Sequence, residues 1–380
     1  MKSVLGKYAR VTRGIDMNIE IVNIVMNGDE ETICRLRADG KPCLIYGCAN
    51  HAELVCNYLY QHGLEVEAYV VDKKYWKQDF YIGEKCVKKL EDYLEILDVY
   101  NIVIGFCDVD KSRFLMDNLQ LLRCNFWLFW EPLTAYEWNE EYIRKNWDML
   151  SVIWGHLSDE LSKRIMEELI WAKLNNNGKR LLKLADSRQY FNELTFTADS
   201  EEEVYVDCGA FNGDTVVKYA SFVGGKYKKI YAFEPSEKNV LELKENVHYL
   251  SNVEVINKGS WKEETILEFE DDGSASQIVE KGRIQVSVTT IDKTVKGEKV
   301  TFIKMDVEGS ELESLEGAVE TIRRNFPKLA ICCYHKKDDI VNLYHYISNF
   351  NNEKMEYHFY LRHHSNSAYE TVLYAIPVRK

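Results

Sequence analysis

Residues 204 to 213, Val-Tyr-Val-Asp-Cys-Gly-Ala-Phe-Asn-Gly, constrain the fold of this chain more than any other stretch. Val204, Tyr205 and Val206 are β-formers preceded by the acidic run Glu201-Glu202-Glu203. A short apolar run with polar borders is the pattern of a buried parallel strand. Asp207 ends that strand. Gly209 and Gly213 permit a tight turn whose backbone lies close to a ligand. Asp214 and Thr215 open a helix. Strand, glycine turn and helix make the unit that binds nucleotide-like ligands at the carboxyl end of a sheet. A glycine turn with no ligand is the alternative.

The next strand, Lys229 to Phe233, runs into Glu234-Pro235-Ser236, an acid 27 residues after Asp207. A carboxylate at that strand tip can accept both hydroxyls of a ribose. Pro235 suits the first turn of a helix, and Ser236 suits its cap. Further on, Val300 to Met305 is an apolar strand ending in Asp306-Val-Glu308-Gly-Ser-Glu-Leu, with a helix expected from about Ser310.

These stretches resemble the FkbM family of S-adenosylmethionine-dependent methyltransferases. The residues that carry the resemblance are Asp207-Cys-Gly-Ala-Phe-Asn-Gly, Phe233-Glu-Pro, Ile303-Lys-Met-Asp-Val-Glu-Gly-Ser-Glu, Leu315-Glu-Gly-Ala and Tyr334-His335. They span roughly residues 185 to 378 and leave residues 1 to about 130 outside. The resemblance implies S-adenosyl-L-methionine as cofactor. Its ribose would meet Glu234, flanked by Pro235 and Ser236. Its adenine would lie against Gly259, Ser260 and Trp261. Its methionine end would lie over Gly209 and Ala210, near Asp207 and Asn212, with Gly213, Asp214 and Thr215 completing the turn. Asp306 would hold the methionine amine or face the acceptor; a helix N-terminal acid is the plainer reading of it. His335, Asp306 and Glu308 are the candidate catalytic groups, since a hydroxyl acceptor gains from proton removal. A structural histidine is the alternative for His335. Tyr190-Phe191 resembles a family feature that closes over the cofactor, or is a hydrophobic anchor. His363 and His364, in the last hairpin, are expected to face solvent.

Spacing alone points the same way for the sheet. Met355 to Leu361 and Thr371 to Ile376 read as strands with nine residues between them. A parallel crossover needs about a dozen residues or more, so these strands are expected as antiparallel neighbours. With the resemblance, this implies an α/β fold class: a seven-stranded Rossmann-like methyltransferase sheet with an antiparallel last strand.

A smaller Rossmann-like α/β domain precedes it at 1–130, joined by a helical bridge over 131–200, with the methyltransferase domain at 201–380. The order before the bridge is a helix over 17–39, a strand at 42–46, a turn at Gly47, a helix over 52–62 and a strand at 66–71. A helix over 87–97, a strand at 101–105, a helix over 110–122 and a strand at 126–130 follow. Strands alternating with helices build a parallel sheet. Gly-x-Gly-x-x-Gly is broken here at Ala49 and Ala52, although Asp72 stands 25 residues after Gly47 as a ribose-binding acid would. A nucleotide-sugar site, a partner surface, an empty scaffold and a dinucleotide site stay open. Trp138, Trp147, Trp154 and Trp171 in the bridge are read as helix-packing residues.

Net charge is −13 over 380 residues, which opposes a nucleic-acid footprint. The ten cysteines include no Cys-x-x-Cys pair, so neither a metal nor a disulfide framework is expected. The start, Met1 to Arg10, turns polar too soon for a signal peptide. No apolar run reaches membrane-spanning length. A cytoplasmic protein with a small-molecule or sugar substrate is the expectation, with self-association through the amino-terminal domain open. Two functions remain: a methyltransferase, O-directed toward a sugar or other hydroxylated metabolite, and a non-catalytic adenosine- or nucleotide-sugar-binding module of a glycan-assembly complex. An NAD-linked oxidoreductase is a distant third.

Overall fold

The computed structural model describes residues 28–117, 125–129, 138–197, 200–270, 277–278 and 284–380. Parts of the expected helices over 17–39 and 110–122, Trp130 of the expected strand at 126–130, and Gly273-Ser-Ala-Ser276, which reads as a loop between two strands, lie outside the described residues. The chain divides into two units. The first comprises Met1–Trp147, Arg164–Ser187 and His363–Tyr369; the second comprises Asp148–Lys163, Arg188–Arg362 and Glu370–Lys380.

In the first unit, β1 (Cys43–Tyr46), β2 (Val66–Val71), β3 (Tyr81–Ile82), β4 (Lys85–Lys89), β5 (Asn101–Ile104) and β6 (Asn125–Trp127) form one sheet in the order β3-β4-β2-β1-β5-β6. All pairs are parallel except β3 with β4. Alternation divides each strand between two faces. Cys43 and Ile45 join Ile33, Leu36, Val55 and Leu59 on one side, where α1 (Gly28–Asp39) and α2 (Asn50–Gln61) supply the apolar partners. Leu44 and Tyr46 join Leu97, Ile102 and Ile104 on the other. Val87 to Lys89 was expected in a helix and instead ends β4, because Val87 is buried in the alternating pattern of a strand beside β2. A 3₁₀ helix at Leu90–Val99 then carries the rest of that segment. Helix α3 (Val109–Asp117) follows β5. Helices α4 (Glu140–His156), α5 (Glu160–Asn175) and the short α6 (Lys179–Leu182) fall within residues 131–200, with α4 and α5 each divided between the two units.

In the second unit, β7 (Val204–Cys208), β8 (Lys229–Phe233), β9 (Val253–Ile256), β14 (Phe302–Met305), β15 (Lys328–Cys332), β16 (Met355–His363) and β17 (Thr371–Arg379) form a seven-stranded sheet in the order β16-β17-β15-β14-β7-β8-β9. The strands from β15 to β9 are parallel. β17 runs antiparallel to β15, from Leu329 opposite Ala375 to Cys332 opposite Val372. The seven-stranded sheet with its antiparallel carboxyl-terminal strands is thus as the short connection required. A smaller sheet, β10 (Gly259–Ser260), β11 (Thr265–Glu270), β12 (Gln277–Ile278) and β13 (Ile284–Thr289), branches off after β9 in the order β10-β13-β11-β12. Helices α7 (Asp214–Phe222) and α8 (Glu237–Val247) follow β7 and β8. The Ser236 hydroxyl caps α8 by accepting from Asn239 N, so Pro235 precedes the cap rather than entering the first turn. Helix α9 is Ile291–Val295, and α10 (Glu311–Glu316), α11 (Val319–Asn325) and α12 (Asp339–Ser348) complete the unit. One face of the sheet is aromatic: Tyr205 stacks on Tyr219 with centroids 4.2 Å apart, and Phe191 and Phe302 close around them. That core fixes β7 and β14 side by side and so brings their tips together.

Candidate active site

β7 and β14 end as neighbours, and their first turn residues meet. Gly209 has φ 82°, and a Cβ on it would stand 1.9 Å from the Asp306 carbonyl oxygen. The glycine is therefore required by the close passage of the β14 backbone. Its N–H and that of Ala210 both donate to the Phe233 carbonyl, at 3.1 and 2.9 Å, which ties the turn to the end of β8. Gly213, with φ 86°, packs against α8, where a Cβ would meet Leu243 Cδ1 at 2.6 Å. Asn212 Oδ1 accepts from Asp214 N, and Asp214 pairs with Lys218 on the exposed face of α7.

Asp207 was expected near the methionine end of a cofactor. Its side chain turns inward: Oδ1 lies 3.1 Å from Lys304 Nζ, and Oδ2 accepts from the Thr215 hydroxyl at 2.6 Å. Both members of the ion pair are buried. Burial pulls the Lys304 ammonium down, but the charge of Asp207 more than offsets it and holds the pKa above the ordinary lysine range. Lys304 also donates to the Gly209 carbonyl at 2.7 Å. This lysine was not anticipated, and its signal was plain: one cation inside the apolar run Val300 to Met305.

Glu234 is 6% exposed. Its Oε2 accepts from Phe211 N at 2.9 Å, and its Oε1 accepts from Ser236 N at 2.9 Å and Asn239 Nδ2 at 3.2 Å. Burial raises its pKa while these donors oppose the rise. A carboxylate offers about four lone-pair sites, so these three bonds leave Oε2 able to take one further hydroxyl. Ser260 points away from the turn, with its hydroxyl 2.7 Å from that of Ser314 on α10. Gly259 packs on Val288 and Pro235, and the Trp261 carbonyl backs onto Gly317, where a Cβ would stand at 2.0 Å. The residues on β7, β8 and β10 thus fit S-adenosylmethionine at one ribose hydroxyl through Glu234, with the other expected contacts coming from backbone.

The tips of β14 and β15 carry the densest charge. Asp306 Oδ2 accepts from the Tyr190 hydroxyl at 2.9 Å, and Oδ1 accepts from the Tyr334 hydroxyl at 3.2 Å. His335 lies between carboxylates. Its Nδ1 is 2.9 Å from Glu311 Oε1, and its Nε2 is 3.5 Å from Asp306 Oδ1 and 3.4 Å from Glu308 Oε2. Burial alone would lower its pKa; Glu311 first, then Asp306 and Glu308, raise it to about 10. An imidazolium has no lone pair with which to take a proton, so His335 does not stand ready as a base. Burial pushes Glu308 up to about 7 against the pull of His335, with Asp306 and Glu311 adding to the rise. For Asp306, burial raises the pKa, but Lys304, His335 and Tyr190 outweigh it and hold the carboxyl below its usual value. Glu308 has φ 54°, a left-handed conformation that re-aims its side chain at the turn. Glu311 Oε1 accepts from Val307 N at 2.9 Å and Gly309 N at 3.4 Å, pinning this Asp-Val-Glu-Gly turn.

The sequence reading did not assign Glu311, Gln189 or Glu370. Gln189 Nε2 donates to the Tyr190 hydroxyl and to Glu370 Oε2, and burial, with Asp306, pushes Glu370 up to about 7. Tyr190 is 3% exposed and packs on Phe191, so it anchors and also reaches the acid. His363 and His364, expected in solvent, are buried in the first unit. The His364 ring is held 2.6 Å from the Asp186 carbonyl, and neighbouring serines close around the pair. In the same unit, Asp72 accepts from the Tyr46 hydroxyl at 2.5 Å and pairs with Lys111 at 2.7 Å. A Cβ on Gly47 would meet the Gly105 carbonyl at 2.3 Å.

Residues 207–364 match the family model described as the methyltransferase FkbM domain. Among solved structures, the FkbM methyltransferase of Methylobacillus flagellatus KT is similar over 98% of this chain and 98% of that one, at 21% identity and a TM-score of 0.62. An rRNA methylase from Streptococcus thermophilus matches 47% of this chain and 88% of its own, at 18% identity and a TM-score of 0.31. A putative methyltransferase from Streptococcus mutans, solved in complex with SAH, matches 47% of this chain and 90% of its own at 15% identity and a TM-score of 0.31. A search of curated proteins returns no match to the sequence.

Proposed function

We propose that this S-adenosylmethionine-dependent methyltransferase, with its FkbM domain at residues 207–364, transfers the methyl group to a hydroxyl oxygen of a sugar or another small hydroxylated metabolite. The observation that carries the reading is the convergence of Asp306, Glu308 and His335 at the tips of β14 and β15, next to the Gly209 turn. When bound, the cofactor supplies an electrophilic methyl group and leaves as a neutral thioether. Glu234 takes a ribose hydroxyl on Oε2, and the neighbouring donors from Phe211, Ser236 and Asn239 hold that carboxylate in one orientation. Gly259 and Trp261 offer backbone and ring surface to the adenine.

Asp306, held by two tyrosine hydroxyls, orients the acceptor. Glu308, whose side chain is 27% exposed, receives the hydroxyl proton as the new O–CH₃ bond forms. His335 positions both acids, because each of its ring nitrogens faces a carboxylate. Several carboxylates and an overall charge of −13 disfavour a polyanionic acceptor and suit a neutral polyol. No helix among the described residues is long and apolar enough to cross a membrane.

Incubation with S-adenosylmethionine and a panel of nucleotide sugars, free sugars and amines tests this reading by mass spectrometry. The expected product carries one added CH₂ on oxygen. Methylation of an amine or carbon centre, or of no hydroxylated compound while the cofactor binds, would overturn the O-directed assignment.

A further inference from the structure

We propose that Asp306, Glu311 and His335, at the tips of β14 and β15 and the start of α10, form a divalent-cation site. The proposal deepens the methyltransferase reading of this site and rests on it for its role in the reaction. These three residues each offer one ligand atom, and the atoms lie within 4.8 Å of one another. Adjacent donors in an octahedral shell at about 2.1 Å from the metal stand about 3 Å apart, and opposite ones about 4 Å. The set therefore closes on a cation with little movement.

Two buried side chains point into this space with polar atoms that lack an aligned partner. His335 is 5% exposed, and neither ring nitrogen makes a hydrogen bond of good geometry among the described residues. Glu311 is 1% exposed, and its Oε2 has no hydrogen-bond partner among them. Buried polar groups of native proteins are satisfied unless something else occupies the site. The supporting contacts are those a metal centre uses. Val307 N and Gly309 N fix Glu311 through Oε1, leaving Oε2 free. The hydroxyls of Tyr190 and Tyr334 fix Asp306. Three carboxylates, Asp306, Glu308 and Glu311, surround one imidazole; a dication would displace the ring proton of His335 and take over its charge among these acids.

Two carboxylates with one imidazole suit an oxygen-preferring divalent cation such as Mn²⁺ over soft ions. A second group, Asp306, Cys332 and Glu370, shares Asp306, but Cys332 Sγ already lies 3.1 Å from the Tyr190 hydroxyl. With three protein ligands, the cation keeps open positions for the acceptor hydroxyl and lowers its pKa. The O–H proton would pass to Glu308 as the oxygen bonds the methyl carbon and the carbon–sulfur bond of the cofactor breaks to leave a neutral thioether. Sequence spacing concealed the site because Asp306 and Glu311 share one turn whereas His335 arrives on the next strand.

The test uses the full chain, stripped with chelator and titrated with MnCl₂ by electron paramagnetic resonance, with S-adenosylmethionine affinity measured separately by calorimetry. The expected result is one saturable Mn²⁺ site in the absence of cofactor and substrate. Glu311→Gln should weaken it by at least about 10–100-fold. Because Glu311 also pins the turn, His335→Gln serves as the second variant, and thermal melts establish which variants are folded. Absence of saturable Mn²⁺ binding by the wild-type chain, with cofactor binding intact, overturns the cation site and leaves the methyltransferase reading standing. So does Mn²⁺ binding that a folded His335→Gln variant retains in full. Loss of cofactor binding by the wild-type chain would instead overturn the proposed cofactor assignments.

Discussion

Lys304 and Asp207 show how much a single buried charge governs here. Their pairing in the sheet interior is costly to desolvate, and removing one partner leaves the other charge stranded. Lys304→Met should therefore cost about 3–5 kcal/mol, read as a lowered midpoint in urea unfolding. Asp207→Asn together with Lys304→Met should recover part of that loss, since no uncompensated charge remains. A single variant as stable as the parent would mean that water reaches the pair. Glu234 is the second residue whose loss has a defined size. On the proposed reading, Glu234→Ala removes a charge-assisted bond to ribose, worth about 1.5–3 kcal/mol, and frees the Phe211 and Ser236 amides. Calorimetry should register at least a tenfold weaker S-adenosylmethionine affinity, and the amides left without an acceptor should lower the unfolding midpoint as well. Unchanged affinity would remove Glu234 from the cofactor site.

Among elements, the decisive contact is the crossing of two strand ends. Gly209 allows the turn after β7 to lie against the Asp306 carbonyl. Gly317 does the same for the end of α10 against the Trp261 carbonyl. An added methyl at Gly209 must displace backbone and also occupy a left-handed conformation. Overpacking costs about 1–3 kcal/mol, and the left-handed backbone adds about 1 kcal/mol more. Gly209→Ala should lower the thermal midpoint and weaken cofactor binding together, because the same displacement moves Asp306. A variant with full affinity and an unchanged melt would show that the two strand ends separate freely. The original expectation for this glycine was clearance for the ligand; the structure assigns the same residue a backbone reason.

For the whole molecule, acid stability is set by opposing groups: buried histidines of the first unit lose stability as pH falls, while Glu308 and Glu370 of the second, raised to about 7, gain it. Burial lowers the pKa of His51 to about 4. Burial, with His364 and Lys173 nearby, lowers that of His363 to about 3. Both rings are neutral in the fold. An unfolded histidine titrates near pH 6.5, so below that value the unfolded chain binds protons that the folded chain does not. Their contribution is fully present above about pH 6.5 and is lost as pH falls toward about 4 and then 3. For His51 the loss is on the order of 3 kcal/mol. Denaturant titrations of the parent and of His51→Asn from pH 7.5 to 4 should show the parent losing about 3 kcal/mol relative to the variant across this window. A difference between the two that stays level with pH would mean that the His51 ring protonates without opening the fold.

Local chemistry made much of this protein readable in advance. Apolar runs, the glycines after Asp207, the acids at strand tips and the nine-residue link between β16 and β17 specified a parallel sheet with an antiparallel end. These features act within one element or one turn, so neighbours in sequence suffice to reveal them. The partners of each charged side chain could not be read in this way. Asp207 faces Lys304 instead of the turn, His335 is enclosed by Asp306, Glu308 and Glu311, Asp72 is taken by Tyr46 and Lys111, and His363 and His364 are buried. Ion pairing and desolvation depend on groups from other strands within a few ångströms, and only the tertiary structure brings those groups together.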